Sequence, residues 1–89
     1  MAQFIGTTYA NLEEETVKGD GQHVHAMLNI MGCESAAHSN IIRAVRADFS
    51  NAVRDTTYSE QSAQVKAENY YNIVQAKITG NYALQCQAL

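Results

Sequence analysis

No proline interrupts these 89 residues. Average usage of about 5% would put roughly four prolines in a chain of this length. Proline removes a backbone donor and collides with the preceding helical turn, so a chain without it can run long helices unbroken. Alanine, glutamine and asparagine are plentiful, while β-branched residues come only in short clusters. Both facts favour helix over sheet. Apolar residues make up 46% of the chain, the share of a folded domain rather than a disordered segment. The length allows one core and no second. The expected fold is therefore all-α: one helical domain over residues 1–89, a compact bundle of four main helices at about 8–18, 21–31, 35–54 and 57–78, plus a short C-terminal helical turn.

The apolar spacing and the helix signals set those bounds. Thr7 or Thr8 is the expected cap of the first helix, which carries the buried positions Tyr9, Leu12 and Thr16 and stops at Lys18 before Gly19. Glu14 and Lys18 stand one turn apart, a spacing that suits a solvent-side ion pair. Asp20 is the expected cap of the second helix, whose Val24, Met27, Leu28 and Met31 repeat at i, i+3, i+4 and i+7 before Gly32. Ser35 is the expected cap of the third, where Ala37, Ile41, Ile42, Val45, Phe49 and Val53 form one stripe and Asp48 has no basic residue a turn away. Thr57 and Glu60 match a capping box for the fourth, with Ala63, Ala67, Tyr70, Val74 and Lys77 on one stripe and Tyr71, Ile73 and Ile78 widening it. Thr79, Gly80 and Asn81 are expected to break that helix, leaving Tyr82 to Cys86 as the final turn.

Cys33 follows the Gly32 stop and Cys86 lies three residues from the end. An even cysteine count in so short a chain favours a disulfide between them. It would tie down a terminal segment in which only Tyr82, Ala83, Leu84 and Leu89 are apolar. Loop closure over this separation is worth about 4 kcal/mol, on the scale of a small domain's whole stability. The alternative is two buried free thiols, which act as small hydrophobes. A redox-active pair wants Cys-X-X-Cys spacing, which is absent.

Charge and motif limit the chemistry. The net charge is −3, and only Arg43 and Arg46 cluster, so a nucleic-acid backbone finds no basic face. Those arginines also fall late in the second helix of a helix-turn-helix reading of Val24 to Val45, where base contacts are not made. No apolar run reaches the ~20 residues of a membrane span. His23 and His25 are two residues apart, on opposite sides of a helix, whereas helical metal ligands sit one turn apart. With His38 they are expected to be solvated surface side chains, and neither a metal nor a cofactor is expected. The serines lack a nucleophile elbow, and Gly19-Asp20-Gly21 lacks the strand and lysine of a phosphate loop. No catalytic residue is assigned. Glu13, Glu14 and Glu15 read as a solvated acidic run, and Tyr70, Tyr71 and Tyr82 either cover the core or meet a partner. These six residues are the candidate interaction surface.

The acidic stretch from Tyr9 to Lys18, the Gly19-Asp20-Gly21-Gln22 turn and the apolar helix from His23 to Gly32-Cys33 together resemble a family of short exported bacterial proteins of unknown function. The resemblance covers about half the chain and includes the aromatic pattern around Phe49. It implies a periplasmic or secreted location, with a leader replaced by Met1; the residues alone also allow a cytoplasmic protein with free cysteines. It implies no activity. The leading expectation is a non-enzymatic exported protein that binds a protein partner or itself, one variant being an immunity-type inhibitor of a periplasmic toxin acting through the acidic run. The alternative is a small ligand- or metal-binding helical carrier using His23, His25 or His38.

Overall fold

The computed structural model describes residues 2–86; Met1 and Leu89 lie outside them. Four helices form the fold: α1 (Ala2–Lys18), α2 (Gln22–Ile30), α3 (His38–Arg54) and α4 (Ala63–Asn81). Short 3-10 turns, Ser35–Ala37 and Tyr58–Glu60, lead into α3 and the approach to α4. Helix α1 packs on α2, α3 and α4, and α3 packs along α4. The buried apolar side chains make one contiguous cluster drawn from all four helices, in a body 36 × 23 × 21 Å across.

The all-α expectation holds, and its boundaries shift for identifiable reasons. Helix α1 begins at Ala2 rather than near Thr8. Thr7 and Thr8 do not cap it; their hydroxyls donate back to the carbonyls of Gln3 and Phe4 in the preceding turn. That extra turn puts Ile5 into the core, so the buried stripe is Ile5, Tyr9, Leu12 and Thr16, at spacings of four, three and four. Gly19 and Gly32 end α1 and α2 with φ of 89° and 80°, the left-handed region open to glycine without steric cost. Ser35 does not cap α3, since a 3-10 turn with no side-chain cap bond intervenes. The Thr57 and Glu60 box does not form either. Thr57 instead bonds Asp55 through its amide and hydroxyl, and α4 starts six residues later, where Ser62 Oγ accepts from the Val65 amide. Ala63 is therefore exposed, and the buried face of α4 is Ala67, Tyr70, Val74 and Ile78. Thr79 to Asn81 continue that helix rather than break it.

Side-chain joints fasten the helices to one another. Asp48 of α3, without a partner on its own helix, meets Lys77 of α4 at 3.1 Å. Tyr70 is 1% exposed; its ring lies edge-on to Tyr9 and Phe49, and its hydroxyl bonds Thr16 at 2.8 Å. It belongs to the core rather than to a surface. Burial pushes its phenol up to about 12 against the lowering effect of the Thr16 bond, so it stays neutral. After α4 a hydrogen-bonded turn from Tyr82 to Cys86 returns to the bundle. The sulfurs of Cys33 and Cys86 stand 2.04 Å apart, as in a disulfide, and the Glu34 amide donates to the Gln85 carbonyl at 2.8 Å.

Replacing Cys33 and Cys86 together by serine is expected to lower the unfolding free energy by about 4 kcal/mol, the closure entropy of the intervening loop. Urea denaturation of the oxidised protein and the double variant measures it; equal midpoints would mean that the tie does not stabilise the fold.

Candidate functional site

The three glutamates of the acidic run go to three different places. Glu14 stays in solvent and pairs with Lys18 at 3.2 Å, as their spacing suggests; such an exposed pair contributes little. Glu13 is half-buried and accepts the hydroxyl proton of Tyr58. Because Tyr58 donates there, the Tyr9 hydroxyl 2.7 Å away donates to Tyr58 in turn. Burial, with the Glu13 and Tyr9 contacts, raises the Tyr58 phenol far above its ordinary range. The three groups are a closed relay between α1 and the approach to α4.

Glu15 does the work expected of Asp20. The tight turn at Gly19-Asp20-Gly21 folds α2 back beside the end of α1, so that one Glu15 oxygen accepts from the Val24 amide at 2.8 Å and the other meets His23 Nδ1 at 2.6 Å. Helix α2 has no cap from its own N-cap residue, Gly21. The carboxylate from the preceding helix satisfies an amide that is otherwise orphaned and faces the positive end of the helix dipole. A Cβ at residue 21 would overlap the Glu15 side chain, which accounts for glycine there. Burial acts to raise the Glu15 carboxyl, but the Val24 and His23 bonds outweigh it and hold the group below its ordinary 4.5.

His38 is buried rather than solvated, while His23 and His25 keep 38% of their side chains exposed and are bonded to neighbouring elements as well. His38, at the start of α3, is 3% exposed. Its Nε2 lies 3.2 Å from the Cys33 carbonyl, and its Nδ1 lies 2.7 Å from His25 Nδ1. His25 Nε2 meets Asp20 at 2.6 Å, and that bond holds the exposed Asp20 carboxyl below its usual range. The two-residue spacing sends His23 to Glu15 and His25 to His38, so the three rings do not converge. Among the described residues no group of three His, Cys, Asp or Glu side chains is placed to hold a metal ion, and no buried side-chain polar atom lacks a hydrogen-bond partner.

What remains open is a groove between α1 and the first half of α4. Gln3, Gly6, Gln64, Glu68, Tyr71 and Asn72 border it above the buried Ile5 and Ala67, enclosing about 600 Å³. Of the six surface candidates, Tyr71 borders this groove, while Tyr82 lies at the opposite end of α4 and donates to the Asn40 carbonyl at 3.4 Å. Glu14 is in solvent with Lys18; Glu13, Glu15 and Tyr70 are engaged by other elements of the bundle. No helix of the described residues is long and apolar enough to cross a membrane. Sequence reasoning passed over Gly6, although glycine in a helix interior costs about 1 kcal/mol against alanine and was a signal available in the sequence.

Glu15→Ala is expected to cost about 1 kcal/mol for the lost cap. The contribution from the carboxylate is complete above its ordinary 4.5 and is lost as pH falls through its depressed folded value. Glu15→Gln should accordingly flatten the acid limb of stability measured by urea denaturation from neutrality downward, and an unchanged limb would refute the assignment.

No curated protein and no solved structure matches this chain. The family model described as protein of unknown function (DUF3015) matches residues 1–86, nearly the whole of the sequence, and the chain therefore belongs to the DUF3015 family.

Proposed function

We propose that this chain is an exported, non-enzymatic helical module that works by seating a segment of a partner protein in the groove between α1 and α4. The observation that carries the reading is Gly6. It lies within α1, on the wall of the groove, and a Cβ built there meets nothing within 4 Å. The fold therefore gains no packing from the missing side chain and bears the helix cost of glycine, about 1 kcal/mol. A bare backbone at Gly6, facing a groove bordered by the partly exposed Tyr71 ring, lets another chain approach closely. Amphipathic segments bind grooves by laying apolar side chains inside and polar ones on the rim; here Tyr71 offers the apolar contact and Gln3, Gln64, Glu68 and Asn72 the polar rim.

Export is supported by the paired cysteines, since disulfides persist in oxidising compartments. The immunity-type variant loses its support, because two of the three glutamates on which it rests bond within the bundle. A carrier for a small apolar ligand is the second reading, favoured by a groove volume of about 600 Å³, within the range of ligand pockets. A histidine-based metal carrier has no such support, as the rings satisfy one another and nearby carboxylates.

Two substitutions separate fold from function. Gly6→Ala is expected to raise stability by about 0.5–1 kcal/mol. Gly6→Tyr should keep the helix and fill the groove. In capture experiments from periplasmic extract, a protein retained by the wild type and by the control Gly80→Ala but lost with Gly6→Tyr supports the reading. Concentration-dependent sedimentation abolished by Gly6→Tyr makes the partner a second copy. A monomer whose captured proteins do not change when the groove is filled overturns the proposal.

A further inference from the structure

Asp20, His25 and His38 form a line of hydrogen bonds that ends on the main chain of Cys33. Both ends of the line are acceptors. The Asp20 carboxylate faces His25 Nε2 at 2.6 Å, and the Cys33 carbonyl faces His38 Nε2 at 3.2 Å. A hydrogen on each Nε2 satisfies both ends. The two remaining ring nitrogens, both Nδ1, face each other at 2.7 Å. The ring centroids are 4.9 Å apart with planes 28° from parallel, a separation larger than the nitrogen distance by about two ring radii. The nitrogens thus lie between the rings, head-on, rather than one ring lying over the other.

One proton fits that gap. With none, two lone pairs repel; with two, a pair of N–H groups collide. The closed line therefore holds three protons on four nitrogens and one net positive charge, balanced by Asp20. The starts of α2 and α3 both disfavour a cation, so the carboxylate matters to the balance. A zinc ion does not fit between the nitrogens: Zn–N bonds of about 2.0–2.1 Å in tetrahedral geometry hold two ligands further apart than this.

We propose that the His25–His38 contact is a one-proton latch, which fastens the start of α2 to the start of α3 within a limited pH window and releases on either side of it. Acid adds a second proton to the gap and drives the rings apart; alkali removes one of the three protons and leaves either two Nδ1 lone pairs in contact or a His38 Nε2 lone pair against the Cys33 carbonyl, and both weaken the line. His25, 38% exposed at its side chain, is the route by which protons reach the buried His38. Release leaves His38 without its partner in the core and loosens the corner beside the Cys33 half of the disulfide, itself 6% exposed. The charged groups around the latch are Asp20 on the α1–α2 turn, the Glu15 and His23 pair across α1 and α2, and exposed Glu34 before α3. From the C-terminal side come the Tyr82 phenol, bonded to Asn40, and the disulfide, which does not titrate.

The test is thermal unfolding of the oxidised full chain across pH, alongside ring ¹⁵N spectra of its histidines. The wild type should show a two-sided stability profile, with His25 and His38 changing protonation together at each limb. His25→Gln should flatten both limbs relative to wild type. Asp20→Asn should move the alkaline limb to lower pH, while His23→Gln, which lies outside the line and touches Glu15, should leave the alkaline limb where it is. A His25→Gln profile parallel to wild type, an alkaline limb unmoved in Asp20→Asn, or two histidines that titrate independently would overturn the latch.

Discussion

The ring of Tyr70 stands where α1, α3 and α4 meet, with centroids 5.9 Å from Tyr9 and 5.4 Å from Phe49, and its hydroxyl ends on Thr16. The rest of the arrangement depends on this junction. Edge-to-face aromatic pairs add about 0.5–1.5 kcal/mol each beyond their buried area, and a buried hydroxyl left unpaired would cost more than a made bond returns. Thr16 and Tyr70 are thus matched: each is tolerable inside the core because the other is there. Around that point Ile5 and Leu12 of α1 and Val74 of α4 close the interior, and the same two helices wall the groove.

The polar side chains follow one pattern. Glu13, Glu15, Asp20, His23, His25, His38, Tyr9 and Tyr58 are paired with one another or with main-chain groups across element boundaries. They join helices that are short on aliphatic bulk, in a chain of only 89 residues. Buried and half-buried polar networks of this kind specify one arrangement when all members are satisfied. They also explain why residue types associated with catalysis and metal binding gather here without forming such a site.

The sequence made much of the fold legible wherever the signal was local. Val24, Met27 and Leu28 repeat at helical spacing and are buried; Gly19 and Gly32 have the positive φ their positions suggested; the Ala37 to Phe49 stripe faces the core. Misreadings arose where two local signals competed. Thr7 and Thr8 resemble caps, yet β-branched hydroxyls also bond back into a preceding turn, and Ile5 at four residues before Tyr9 was the sign that such a turn exists. Thr57 and Glu60 fit a capping box, but Asp55 captures Thr57 first. The site was less legible, because its joints are tertiary: Glu15 reaches His23 eight residues on, and Tyr58 reaches Glu13 across forty-five. Only the geometry of the intervening turns brings them together.

A double-mutant cycle on Thr16 and Tyr70 addresses the central junction most directly. Thr16→Val and Tyr70→Phe each orphan one buried hydroxyl, so each alone should cost about 1–3 kcal/mol in urea denaturation. The double variant removes both partners and should be less destabilised than the sum of the two, with a coupling of at least 0.5 kcal/mol or so. Strict additivity of the two single costs would contradict the account, since the hydroxyls would then not be holding each other in the core.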